Sequence, residues 1–178
     1  VFDQREKTQE RWGNLMRGNI LSLYLVLAAA VIAGSAIAQA PTAVKSNMAT
    51  LSPMAGQAAA VVDAFHQALH LGNTATAAAL LADDVLIYES GTVEQSKAVY
   101  AAHHLLADAA FSKATVRSVT RRSGQAENNL AWIATESTTK GAYKGRPINS
   151  VSTETMVLRR DGTAWKIVHI HWSSATMK

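Results

Sequence analysis

Trp165-Lys166-Ile167-Val168-His169-Ile170-His171-Trp172-Ser173-Ser174 packs two histidines, two tryptophans and three β-branched residues into ten positions. A run of this kind reads as a strand, and side chains alternate across a strand. Alternation puts Trp165, Ile167, His169, His171 and Ser173 on one face. It puts Lys166, Val168, Ile170, Trp172 and Ser174 on the other. Both faces carry large apolar groups, so neither is expected to be fully solvated. The expectation is a closing strand that floors a cavity. His171 is its leading polar group, His169 supports it, and Trp172 falls on the outer face.

Upstream of this strand, Asp161-Gly162 is a tight-turn signal that joins it to a strand over 148–160. Strands are also expected over 115–122, 130–139 and 85–90, all rich in Val, Ile, Thr or Tyr. Helices are expected before them. Ala58, Val62, Phe65 and Leu69 recur at helical spacing over 55–71, which Gly72 closes. A short second helix runs from Asn73 or Thr74 to Ala82. A third covers 96–111, with Val99, Ala102, Leu106 and Ala110 as its apolar stripe. The order is helix, helix, strand, helix, then an antiparallel meander. That is α+β, a cone-shaped curved antiparallel sheet with three N-terminal-side helices packed on its concave face. Three helices cannot seal such a sheet, and the gap they leave is a ligand-sized cavity.

Residues 20–38 form an uncharged, largely apolar run preceded by Arg17 and followed by Ala38-Gln39-Ala40. That is the pattern of an export signal, with cleavage expected near Ala40. The expected organisation is 1–40 as N-terminal extension and signal peptide, 41–54 as linker, and 55–178 as the folded domain. Translation from either Val1 or Met16 fits this division. The expected location is periplasmic or secreted, with membrane contact only through the signal segment if it stays uncleaved.

The chain has 178 residues, a net charge of +4 and no cysteine. Disulfides, thiol catalysis and cysteine metal ligation are therefore excluded. The basic residues are scattered. Their densest group, Arg117 to Arg122, lacks the interleaved aromatics of a nucleic-acid surface and reads as a solvated strand edge. Nucleic acid is not an expected partner. No phosphate-cradling glycine loop or nucleophile elbow is present.

The chain resembles SnoaL-like domains of the nuclear transport factor 2-like superfamily, which includes ketosteroid isomerase. The resemblance rests on Asp63-Ala64-Phe65, on Leu80-Leu81-Ala82-Asp83-Asp84-Val85 and on Tyr88-Glu89-Ser90-Gly91. It continues through His103-His104-Leu105-Leu106-Ala107-Asp108 and Glu154-Thr155-Met156-Val157-Leu158 to the closing strand. The resemblance implies a cone-shaped fold, often a homodimer, with a pocket between sheet and helices. It implies no single activity, since members include isomerases, cyclases, dehydratases and non-catalytic modules. Ketosteroid isomerase-type members use an Asp base with a Tyr and a protonated Asp. That set is not placed here, because Asp63 and Asp108 read as helix-surface residues and Asp83 and Asp84 as a helix end. Steroid-type isomerisation is disfavoured on that reading.

The expected catalytic groups are Glu154, His171 and His104. The expected ligand-binding groups are Tyr88, Glu89, His103, His104, Glu154, His169 and His171. Glu154 shares a strand face with Ile148, Met156 and Leu158, and burial among them would raise its pKa and suit it to proton transfer. The alternative is a carboxylate held by a basic residue across the strands. Periodicity turns His103 inward, whereas the family resemblance favours His104, which is preferred. His66 and His70 have the spacing of a zincin helix, but Gln67 stands where the general base belongs, so they read as a solvated face. No cofactor and no metal are expected. The leading function is an exported small-molecule-binding domain, with cofactor-free acid–base chemistry if it is a catalyst. The alternatives are a non-catalytic homodimeric association module and a periplasmic metal-binding protein using His103, His104, His169 and His171.

Overall fold

A computed structural model describes residues 51–177. The predicted signal and most of the predicted linker lie outside the described residues. Among the described residues, no helix is long and apolar enough to cross a membrane.

Helix α1 (Pro53–Leu71) starts at Ser52, whose side chain accepts from the Ala55 amide at 3.3 Å, with proline at its first position. Gly72 closes it at φ 73°, a left-handed conformation that glycine adopts without steric cost. Ala58, Val62, Phe65 and Leu69 are buried along it, as the spacing predicts. Helix α2 (Thr74–Leu80) is capped by Asn73, which accepts from the Thr76 amide at 3.1 Å.

Strand β1 (Leu81–Glu89) and a short strand β2 (Thr92–Glu94) follow, joined through Ser90 and Gly91, both at positive φ. Helices α3 (Lys97–His103) and α4 (Leu105–Ala114) come next. Then four long strands complete the chain: β3 (Thr115–Glu127), β4 (Leu130–Tyr143), β5 (Arg146–Asp161) and β6 (Ala164–Thr176). The sheet is curved and unclosed, with strand order β2-β1-β6-β5-β4-β3. It is mixed, because β1 runs parallel to β6 while every other pair is antiparallel. The α+β architecture matches the sequence expectation, with a fourth helix and the β2 strand added.

The extra helix arises at His104. The expected third helix breaks there, where the backbone sits at φ −117°, ψ −30°. The break resets the helical phase. Tyr100, Leu105 and Ala109 are the buried residues, while Leu106, expected inside, is 73% exposed.

The core lies between α1 and the sheet. Val62 and Phe65 meet Ile133, Met156, Leu158, Ile167 and Ile170, all of them fully buried. Each such side chain contributes about 1.5–3 kcal/mol on burial, so this layer fixes the inner face of β4, β5 and β6. On β4 the inner face is Ala131, Ile133, Thr135, Ser137 and Thr139, and on β5 it includes Glu154, Met156 and Leu158.

The closing strand departs from simple alternation at one place. Leu158 pairs with Ile167, but Val157 pairs with His169, so Val168 is an extra, unpaired residue. A bulge of this kind moves every later side chain to the opposite face. Trp165 and Ile167 point inward before it, and Ile170 and Trp172 point inward after it. His169 and His171 are thereby turned outward. The expectation that they floor the cavity, with Trp172 outside, is corrected. A second shift between Val119 and Arg121 has a related effect on β3. Arg117 and Arg122 are half-buried toward α1, so the reading of this segment as a solvated edge is corrected as well.

Candidate functional site

Two polar centres occupy the concave side. The first surrounds Glu154, which is only 5% exposed. His66 of α1 donates from Nε2 to Glu154 Oε2 at 2.7 Å, and the Trp172 indole N–H donates to the same oxygen at 2.7 Å. Arg117 of β3 donates to Oε1 at 3.4 Å. Burial on its own would push this carboxyl up. The hydrogen bonds from His66 and Trp172 and the charge of Arg117 outweigh it and hold Glu154 below the usual carboxylate range. The expected raised pKa is corrected, and the alternative of a charge held by basic neighbours is what the geometry contains. Arg122 stands nearby, paired with Asp63 at 2.8 Å and donating to Thr135 Oγ1 at 3.3 Å.

The reading of His66 as part of a solvated face is corrected, since its ring is largely buried against Glu154. His66 lies four positions after Val62 and three before Leu69, on the flank of the buried stripe. His70 is exposed, with its ring bonded through Nδ1 to the Ser112 carbonyl at 2.9 Å.

The second centre is a narrow cleft of about 10 Å³, room for about one water molecule, so the expected ligand-sized cavity is corrected. The β1–β2 hairpin supplies Ile87, Glu89, Thr92 and Glu94. Helices α3 and α4 supply Tyr100, His104 and Asp108, and β6 supplies Trp172. Tyr100, His104 and Asp108 are four apart, so they form one line along the helical face. The backbone bonds His104 N to Tyr100 O and Asp108 N to His104 O carry that line across the break.

Tyr100 is 1% exposed, and its hydroxyl donates to Asp108 Oδ2 at 2.8 Å. Burial, then the Asp108 charge, push the Tyr100 phenol far above its ordinary range. Burial also pushes Asp108 up to about 6. The Tyr100 hydrogen bond pulls against it and the Glu89 charge adds to it. Glu94 is buried and bonds His104 through Nδ1. His103 approaches the other Glu94 oxygen at 3.7 Å from the rim, with a largely exposed side chain.

Of the residues expected at a site, Glu89 and His104 line the cleft and His103 stands at its edge. Glu154 is on the concave side but belongs to the first centre. Tyr88, His169 and His171 sit together on the outer face. Tyr88 meets the two rings edge-on at 5.0 and 6.3 Å, and His169 donates from Nδ1 to the Leu86 carbonyl at 2.9 Å. The Val168 bulge turns His169 and His171 out of their expected place in the pocket, and Tyr88 of β1, also expected there, lies beside them on the outer face. It follows that His103 and His104 lie on the opposite side of the sheet from His169 and His171. The alternative of metal binding through a cluster of these four histidines is corrected, because they form two separate pairs. Among the described residues, no three or more His, Asp or Glu side chains converge as metal ligands.

Three residues of the cleft do not stand out in the sequence. Asp108 reads as a helix-surface group because an unbroken helix turns it outward, and the break at His104 turns it in. Tyr100 lies one position from the expected stripe for the same reason. Glu94 lies in β2, a strand too short to show alternation. Asp83 and Asp84, expected at a helix end, begin β1 instead. There Asp84 takes a forked pair of bonds from Arg159 at 3.0 and 3.1 Å, and Asp83 pairs with Lys97.

The model of the SnoaL-like domain family matches residues 58–177. No curated protein matches the sequence. Among solved structures, the chain is similar to a Shewanella frigidimarina protein provisionally described as a ketosteroid isomerase. That protein is 40% identical, with 66% of this chain and 94% of that chain covered and a TM-score of 0.63. A Streptomyces avermitilis protein of the NTF2-like family, provisionally described as a dehydratase, is 18% identical. It covers 70% of this chain and 97% of its own, with a TM-score of 0.60. The CaMKII hub of S. rosetta is 17% identical over 70% of this chain and 98% of its own, with a TM-score of 0.58. The last two share the fold, whereas the family match spans nearly all of the described residues: the chain belongs to the SnoaL-like domain family.

Proposed function

We propose that the chain binds a small, partly apolar molecule at the mouth of this cleft, which widens to admit it, and carries out cofactor-free acid–base chemistry on it. One observation carries this reading. Two proton-transfer pairs, Tyr100–Asp108 and Glu94–His104, line the same cleft side by side. A carboxyl with a midpoint of about 6 is present in both forms near neutral pH, which suits it to take a proton and return it. Asp108 is the proton acceptor in this reading, and the Glu94–His104 pair is the donor to an oxygen that gains charge. Ile87 and Trp172 supply the apolar contact. The resemblance to the Shewanella protein, at 40% identity, supports proton-transfer chemistry of this class.

The test is ligand-observed NMR with pooled small ketones and hydroxy-aromatics on wild type, Asp108→Asn and His104→Gln. Hits that bind wild type and are lost in both variants, with circular dichroism unchanged, support the reading. Hits that bind all three alike refute it.

A second reading has its own observation. The outer sheet face and its edge strands expose Tyr88, Val116, Val119, Trp132 and Val151. A large exposed apolar face of this kind favours self-association. Sedimentation of wild type and Trp132→Glu tests it, with a monomeric wild type as the refuting result. Export remains our proposal for residues 1–40, and amino-terminal sequencing of the exported protein tests it.

A further inference from the structure

We propose that Glu154 is a positioning residue for the cleft and acts on it through the indole of Trp172. The inference rests on reading the cleft as the working site.

The two polar centres touch at one side chain. Trp172 lines the cleft, yet its only polar atom points away from it, into the first centre, where it donates to Glu154 Oε2. That oxygen also accepts from His66, and Arg117 holds the other oxygen. Glu154 is thus clamped by one residue from α1 and one from β3, one on each carboxylate oxygen. The clamp fixes the carboxylate, and the carboxylate fixes the rotation of the indole.

The ring faces are held differently. Phe65 stacks on Trp172 at 6.4 Å with planes 24° apart, and Tyr100 meets it at 6.5 Å and 51°. Stacking of this kind tolerates sliding and rotation, since an offset ring pair is shallow in energy. A directional hydrogen bond to a charged acceptor is not shallow. The bond to Glu154 is therefore what selects one orientation of the wall. Tyr100 rests on that wall, and Tyr100 holds Asp108. A rotated indole would shift the ring against Tyr100 and loosen the Tyr100–Asp108 pair.

A purely structural role predicts something else. A buried charge and its partners are commonly replaceable by apolar groups without loss of stability, and a phenylalanine at 172 would stack on Phe65 just as well. What phenylalanine cannot do is hold its orientation from Glu154. The indole N–H has that single use in the fold.

The experiment is a double-mutant cycle on the full chain: wild type, Glu154→Gln, Trp172→Phe and both together. The reporters are the ¹⁵N–¹H indole signal of Trp172, the ¹³C methyl shifts of Ile87 and Thr92 in the cleft, and the ¹³C titration midpoint of Asp108. In Glu154→Gln the indole N–H is expected to exchange roughly tenfold faster, as loss of a charge-assisted bond predicts, and the cleft methyls are expected to shift. In the Trp172→Phe background, adding Glu154→Gln is expected to move the cleft reporters no further. Equal effects of Glu154→Gln with and without the indole would show direct electrostatics and overturn the proposal. Unchanged cleft reporters in Glu154→Gln would also overturn it. Should Glu154→Gln fail to fold, His66→Gln loosens the clamp from the other side. It is read by the same reporters, and the same two results would overturn the proposal. Failure of the underlying functional reading is distinguishable. It appears as ligand binding that survives Asp108→Asn, whatever the cycle shows.

Discussion

Asp108→Asn should make this protein more stable at neutral pH while disabling its cleft. The carboxyl titrates near 6 in the folded chain, against 3.8 for the free side chain. Because the folded value is raised, the contribution to stability is fully present below about pH 4. It is lost as pH rises through about 6. The difference is about 2 units, which corresponds to about 3 kcal/mol. Partial solvent contact reduces this, so about 1–3 kcal/mol is expected. Asparagine is nearly the same shape, still accepts from the Tyr100 hydroxyl, and places an N–H₂ beside Glu89 and Glu94. It has no charge to desolvate. Urea unfolding of both proteins at half-unit steps from pH 4 to 8 measures the effect. The variant's advantage should be absent near pH 4, grow between 4 and 6, and level off above. A flat difference across that range, or a variant less stable than wild type at pH 7.5, would refute the assignment of Asp108 as a desolvated carboxyl. A side chain that costs stability at neutral pH is retained for something other than folding.

Three further outcomes are expected. Glu154→Ala should lower stability by about 3–5 kcal/mol, because Arg117 and His66 lose a buried partner. The same carboxyl has a lowered folded pKa, so its contribution is present above its unfolded value and falls away as acid reaches the folded value. Wild type should therefore lose stability below about pH 4.5 in a way this variant does not, by the same urea series. Ile170→Ala should cost about 2–5 kcal/mol, whereas His171→Ala should stay within about 0.5 kcal/mol. Equal costs would place the bulge elsewhere. Gly141→Ala should cost about 1–3 kcal/mol by thermal unfolding. Its φ is 148°, and an added methyl would lie 2.8 Å from the Ala114 carbonyl oxygen and 3.0 Å from Thr115 Cα.

The fold is legible in the sequence because its signals are long. Val62, Phe65 and Leu69 recur over a 19-residue helix, and alternation runs through strands of thirteen to sixteen residues. Each residue of such a run repeats the same message, so one irregularity does not change the class. The site is legible only in part, because it is built at the irregularities. Glu94 stands in a strand of three residues. Asp108 and Tyr100 face the cleft because a helix breaks at His104. The outward histidines and the inward Trp172 follow from one inserted residue.

That inserted residue explains why the closing strand misleads a reader who counts by twos. Its two ends have different tasks. Near Trp165 and Ile167 it packs beside Leu81 at the start of β1 and Leu158 of β5. Near Trp172 it packs against Phe65 and reaches Glu154, which lies directly across the pair. Unbroken alternation would serve one end only, burying His169 and His171 beside Met156 and Glu154 while exposing Ile170 and Trp172. An imidazole at 169, beside Met156, would lack the polar partner that burial requires. The exposed indole would leave Glu154 with one donor fewer. The bulge at Val168 avoids both costs, and β1 shows the matching irregularity between Leu81 and Leu86 on the parallel side. The distortion is therefore shared by the two strands that frame the cleft. The apolar pattern around it already contained the clue. Trp165, Ile167, Ile170 and Trp172 are spaced two, three and two, and only a strand with one extra residue can turn all four the same way.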